Sequence, residues 1–203
     1  MSYQYITKHD SPNFGYPRGT KGQNKPEFIV IHYWGSNGQS FMQPIQWLCN
    51  PNAYASAHYV VEAGKVACIV DCADSAWHVG ESEKYNAYVN NHSIGIECRP
   101  ECTEADLETV AELISDIWKT YGKLPLKMHK DFSSHGYATP CPGPYEFKMK
   151  DLQKKAERYF SGKRTLHKVQ LGAFENRENA EKLKNELKSK GYEAFIVEVE
   201  TDE

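Results

Sequence analysis

The sequence has no long apolar run. Nothing in it approaches the length a membrane-crossing helix needs. Met1-Ser2-Tyr3-Gln4-Tyr5-Ile6-Thr7-Lys8 lacks the apolar core of a secretory signal. The expectation is a soluble product made in the cytoplasm. Charge of one sign is lacking too: 24 Lys and Arg against 27 Asp and Glu leave a formal net charge of −3. That supplies no basic surface for nucleic acid and no reason for membrane insertion. Internal repeats and low-complexity tracts are absent. The six cysteines, Cys49, Cys68, Cys72, Cys98, Cys102 and Cys141, fit no zinc-finger pairing. A cytosolic chain gives no cause for a disulfide framework either. Five of the six are expected as ordinary buried or half-buried thiols. Cys141 stands apart because of its neighbours.

With 203 residues, 40% of them hydrophobic, the chain supports one well-formed core and a small second unit. Residues 1–27 are punctuated by Gly and Pro and read as a surface loop, with Asn13 and Arg18 in reach of a ligand at most. The run Phe28-Ile29-Val30-Ile31-His32 reads as a buried strand. Phe41, Ile45, Trp47 and Leu48 give a helix over 41–49. Residues 57–70 read as a hairpin turning at Glu62–Lys65, and 93–98 as a further strand. Thr103 starts a helix whose Leu107, Val110, Leu113, Ile114 and Ile117 share one face and which Gly122 ends. A last helix is expected over 146–159. After a polar linker at 161–166 the pattern restarts as strand His167–Ala173, helix Arg177–Lys190 and strand Ala194–Val199. The expected division is therefore 1–160, linker 161–166, and a βαβ module at 167–203.

His32 closes its strand, where a sheet edge holds a ring rigidly. One histidine cannot hold zinc, but the distant stretches around His129 and Cys141 can add donors. Two imidazoles and a thiolate suit zinc, and three protein ligands leave a fourth position open, the catalytic arrangement. Taken singly, each reads more readily as a hydrogen-bonded histidine or a core thiol than as a ligand.

Together and in order, six segments resemble one family. They are Ile29-Val30-Ile31-His32, Ser56-Ala57-His58-Tyr59-Val60-Val61, Ala76-Trp77-His78-Val79-Gly80, Ser93-Ile94-Gly95-Ile96-Glu97, His129-Lys130-Asp131-Phe132 and Thr139-Pro140-Cys141-Pro142-Gly143. They are similar to the zinc-dependent N-acetylmuramoyl-L-alanine amidases of the amidase-2 and peptidoglycan-recognition family, phage endolysins above all. The resemblance implies an α/β fold with a mixed central β-sheet flanked by helices. It implies one zinc on His32, His129 and Cys141, and hydrolysis of the amide joining N-acetylmuramic acid to L-alanine of the stem peptide. It places Glu97 as general base and Thr139 as a neutral donor to the oxyanion, where some relatives carry Lys. Ala57 stands where others carry a catalytic Tyr. Trp77, His78 and His58 go with the substrate groove, His58 with a ligand-orienting role as well. His135 competes as third ligand by residue type.

The C-terminal stretch resembles the SPOR domain in Val169-Gln170-Leu171-Gly172-Ala173-Phe174, Asn179-Ala180-Glu181 and Lys190-Gly191-Tyr192-Glu193-Ala194. That resemblance implies binding to peptidoglycan glycan strands. SPOR domains usually hold two such halves and this chain has room for one, so pairing into a homodimer is expected. The combination implies an endolysin made in a host cytoplasm and released to the cell wall through another protein's pore (holin-dependent release). A bacterial autolysin, a binding-only recognition module and a metal-free Cys141–His129 thiol hydrolase remain the alternatives.

Overall fold

β-Branched residues at 29–31 and at 94 and 96 build two strands that lie side by side inside a sheet, and the first unit is arranged around them. The computed structural model describes residues 2–15, 25–80, 87–132, 139–162 and 170–198. Arg18 and His135 lie outside the described residues. The chain divides into two units, Met1–Arg164 and Thr165–Glu203.

In chain order the first unit runs β1 (Gln4–Ile6), β2 (Phe14–Gly15), β3 (Phe28–Tyr33), α1 (Met42–Leu48), β4 (Tyr59–Glu62), β5 (Lys65–Cys68), β6 (Ser75–Ala76), α2 (Ala87–His92), β7 (Ser93–Cys98), α3 (Glu104–Tyr121), β8 (Leu126–Met128) and α4 (Met149–Phe160). Tight 3-10 turns cover His129–Phe132 and Gly143–Lys148. Six strands pair in the order β1-β5-β4-β7-β3-β8. Only the β4–β5 hairpin is antiparallel; the other four pairings are parallel. The sheet is therefore mixed, as expected. A separate two-stranded ladder joins β2 to β6.

The two-residue period of a strand decides which side chains face where. Ile29 and Ile31 of β3 and Ile94, Ile96 and Cys98 of β7 pack into one cluster with Leu107, Val110, Leu113, Ile114, Ile117 and Trp118 of α3. Leu152 and Ala156 of α4 close that layer. Each such side chain contributes roughly 1.5–3 kcal/mol by leaving water. The alternate positions, Val30 and His32 on β3 and Ser93, Gly95 and Glu97 on β7, fall on the other face. There Val30 packs with Val79 and Val89.

Local chemistry sets the boundaries. The Thr103 hydroxyl accepts from the Asp106 N–H while Asp106 accepts from the Thr103 N–H, a reciprocal box that starts α3. Gly122, at φ +84°, ends it. The same Asp106 accepts from Ala63 N at 2.8 Å, and Thr109 from Gly64 N at 2.9 Å, so α3 pins the turn of the β4–β5 hairpin.

Three expectations change. Residues 1–27 are not all loop: β1 adds a parallel strand beside β5, and β2 pairs with β6. Both are short edge pairings that tertiary contact imposes on a segment without a strand pattern. Asn13 contacts no ligand cleft; it is buried, and its amide donates to the Asn50 and Ala55 carbonyls at 2.8 and 3.2 Å. In the second unit α5 (Arg177–Ser189) forms, capped by Asn176. The flanking stretches, as far as they are described, make no strand ladder. A lone half-module offers its strands no sheet to join. Among the described residues no helix is long and apolar enough to cross a membrane.

Candidate metal centre

Three chain segments end at one point on the face opposite α3. β3 delivers His32 at its C-terminal end, in register with Glu97 on the neighbouring β7. β8 runs straight into the turn that begins with His129. The loop carrying Cys141 is tied to that turn by Lys130 N–H donating to the Cys141 carbonyl at 3.1 Å. Gly143 lets this loop close: it sits at φ +57°, and a Cβ there would lie 2.7 Å from the Tyr33 ring. Thr139 Oγ1 accepts from Cys141 N at 3.2 Å, which leaves the hydroxyl proton to donate.

One donor atom each from His32, His129 and Cys141 lies within 4.8 Å of the others. His32 Nδ1 and Cys141 Sγ are 3.6 Å apart. Bonds of about 2.1 and 2.3 Å at a tetrahedral angle give a donor–donor edge of about 3.6 Å. The donor set and its spacing therefore fit a tetrahedral soft-to-borderline cation.

Electrostatics point the same way. Burial holds His32 well below the usual imidazole range, with the His78 and His129 rings adding to the effect. Burial also lowers His129, against an opposing hydrogen bond to the Val79 backbone. Both rings are thus neutral donors at neutral pH. Burial, with the Glu97 carboxylate beside it, pushes the Cys141 thiol up to about 12. A nucleophilic cysteine needs the reverse, a depressed pKa. The metal-free thiol hydrolase is therefore disfavoured, whereas a bound cation would deprotonate the thiol outright.

Glu97 is half-buried and opens onto the same cleft, yet its Oε2 has no solvent contact and no partner among the described residues. Burial pushes its carboxyl up to about 7. The cleft encloses about 450 Å³ and takes in His32, His78, Glu97, His129, Thr139 and Cys141.

Two expected groove residues lie elsewhere. His58 is fully buried; its Nδ1 accepts from Gly95 N at 2.9 Å and its Nε2 lies 3.2 Å from the Asp74 carbonyl. It ties β7 to the segment before β6 and does not line the cleft. Trp77 sits against Gly15 of β2, also off the cleft. His78 does line it, but its ring is turned to His32. The wall that sequence reasoning missed is α1, which presents Gln43 and Trp47. Trp47, one of the four residues whose spacing predicts this helix, is 60% exposed. The signal was legible: Phe41, Ile45 and Leu48 follow i, i+4, i+7 and are buried, while Trp47 falls off that stripe.

Comparison with known proteins agrees with this geometry. The chain matches the SPOR domain family over residues 147–201, a match that begins in the 3-10 turn just before the first unit's last helix and takes in that helix. A probable N-acetylmuramoyl-L-alanine amidase of Bacillus licheniformis is 27% identical over 130 residues, 55% of this chain. The chain spans only 36% of that relative's length. A mutant endolysin from Bacillus subtilis superposes with a TM-score of 0.61 at 20% identity, over 76% of this chain and 99% of that one. A Staphylococcus aureus hydrolase solved with its ligand gives 0.60 at 17% identity, over 80% of this chain and 87% of that one. These likenesses establish the fold. The family model for N-acetylmuramoyl-L-alanine amidases (Amidase_2) matches residues 22–144, which is more than half of the sequence, and the chain belongs to that family.

Proposed function

We propose that this protein is a zinc-dependent N-acetylmuramoyl-L-alanine amidase that cuts the bond between N-acetylmuramic acid and the L-alanine of the peptidoglycan stem. The observation that carries the reading is the convergence of His32, His129 and Cys141 beside the unpartnered Oε2 of Glu97 in one cleft. His32 Nδ1, a ring nitrogen of His129 and Cys141 Sγ would hold the ion. Zinc there supplies Lewis-acid polarisation of the scissile carbonyl and acidification of water. Glu97 takes a proton from the attacking water and later gives it to the leaving amine; burial raises its carboxyl, and a bound cation beside it would favour the ionised form that a base needs. The Thr139 hydroxyl donates towards the developing oxyanion, a neutral hydrogen bond. Trp47 and Gln43 give the substrate an apolar and a polar contact on the opposite wall.

In the same reading the protein works as an endolysin at the bacterial cell wall, released through a pore made by another protein. The endolysin among its structural neighbours supports this role. The second unit adds affinity for glycan strands, with two copies pairing to cover Leu171, Phe174, Tyr192, Phe195 and Val197, all exposed. Sedimentation of the full chain tests the pairing: a monomer at high concentration removes it. Mass spectrometry of digested peptidoglycan tests the chemistry. New free L-alanine amino termini that vanish with a chelator are expected; new reducing sugar ends, or activity that survives the chelator, would overturn it.

A further inference from the structure

Behind the metal donor His32 run two buried polar side chains, His78 and Ser93, that the mechanism above does not use. Ser93 Oγ lies 2.5 Å from the Val89 carbonyl, which can only accept. The single hydroxyl proton is therefore committed to Val89. The same Oγ lies 2.9 Å from His78 Nε2, so there it must accept and Nε2 must carry hydrogen. A neutral ring protonated on Nε2 has a bare Nδ1. His78 Nδ1 lies 2.9 Å from His32 Nε2, which must then donate. The hydrogen on His32 Nε2 leaves Nδ1 as its lone pair, and Nδ1 is the atom 3.6 Å from Cys141 Sγ.

The rings are placed for this. His32, His78 and Ser93 are all buried. Asn90 Oδ1 accepts from His78 N and Val79 N at 3.1 and 3.2 Å and fixes the backbone below the ring. Gly95 makes room for it: a Cβ there would sit 2.6 Å from His78 Cγ. Any larger residue at 95 would push the ring off its bond to His32.

We infer that Ser93, acting through His78, sets the tautomer of His32 that presents Nδ1 to the metal. Ser93 and His78 are positioning residues, and His78 serves the ion at one remove rather than the glycan or the stem peptide. The inference rests on the metal reading for its purpose but not for its geometry. Such outer partners of a metal-bound histidine typically alter affinity 10–100-fold.

Two measurements test it. Long-range ¹H–¹⁵N correlation on the chelator-treated full chain reads both tautomers directly, with His32 and His78 expected as Nε2–H. Finding His32 as Nδ1–H would overturn the inference. Zinc affinity, by competition with a chromophoric chelator, is the second readout. His78→Phe keeps the ring's bulk but removes the acceptor, and is expected to weaken zinc about 10–100-fold. His78→Asn places an amide oxygen near the position of Nδ1 and should recover most of that loss. Equal losses in the two variants, or none in His78→Phe, would overturn the inference. Wild-type protein that takes up no zinc, yet shows His32 as Nε2–H, would defeat the metal reading and leave the relay standing.

Discussion

The first unit buries side chains on both faces of its sheet, whereas the second buries none among its described residues. Both show regular apolar patterns in sequence, so pattern alone does not explain the contrast. In the first unit, Ile29, Ile31, Ile94 and Ile96 meet α3 and α4 at a distance of many residues along the chain. In the second, α5 has only its own short flanks. Phe174 reaches Gly172, near Leu183, but Leu171, Tyr192, Phe195 and Val197 remain open. A piece of about 40 residues cannot generally enclose a core without help from a partner, metal or crosslink. The candidate metal centre lies in the first unit, whose packed strands give its three donors supports that do not move.

The largest effect that would break this contrast is loss of a donor. His32→Ala or Cys141→Ser should lower turnover about a thousandfold or more, the worth of several kcal/mol of charge stabilisation. Zinc content measured by atomic emission should fall with it, while the far-ultraviolet circular dichroism stays unchanged. Retained activity in a zinc-free variant would separate the cleft from the chemistry.

Core substitutions come next. Trp118 is 1% exposed, and its Nε1 donates to the Leu124 carbonyl at 2.8 Å. Trp118→Ala should cost about 3–5 kcal/mol in urea unfolding. Phe195, 79% exposed, should cost within about 0.5 kcal/mol when cut to Ala at concentrations that hold the chain monomeric. Similar losses at both sites would show that the second unit has a core after all.

How much of this was readable follows from the range of the forces involved. β3 with His32 was legible because β-branched residues run straight into the ligand, and α3 because Thr103 and Gly122 mark both ends chemically. β1 and β2 were not, since two or three edge residues gain their strand character only from β5 and β6. Glu97 was legible by its place in the motif, but its isolated Oε2 was not. Ser93 passed as an ordinary strand residue; its role depends on a carbonyl and a ring, both brought to it by the fold. The expected C-terminal strands, in their described parts at 170–173 and 194–198, show the opposite failure, a good local pattern without a sheet to complete it.

Glu97 offers a smaller effect, visible through pH. Its carboxyl rises from an ordinary 4.5 to about 7 on folding. Below the lower value both states hold the proton and folding bears no penalty. As pH climbs through about 7 the folded protein must ionise a carboxyl with one unpartnered oxygen, and stability is lost. The full shift corresponds to about 3 kcal/mol, and the opening of the cleft to water trims that to about 2 kcal/mol. Glu97→Gln in chelator should therefore be more stable than wild type by about 2 kcal/mol near pH 8, and equal to it near pH 4. Restoring zinc should shrink the difference, since the cation favours the ionised form. A constant difference across pH would mean that Glu97 does not carry the shift.

The smallest expected change comes from cutting the two units apart, and where the cut falls matters. The SPOR match begins at residue 147, but α4 follows immediately and its Leu152 and Ala156 sit in the first unit's core. Ending the chain at Arg164 keeps that layer and should leave turnover of a small soluble muropeptide within about twofold of the full chain, while sedimentation with intact walls falls. Ending it at Glu146 removes two core side chains together with the helix that covers α3, at about 2–5 kcal/mol for a large apolar residue alone, and should leave the protein unfolded. A soluble, active chain ending at Glu146 would assign α4 to the wall-binding unit and move the division between the two regions by one helix.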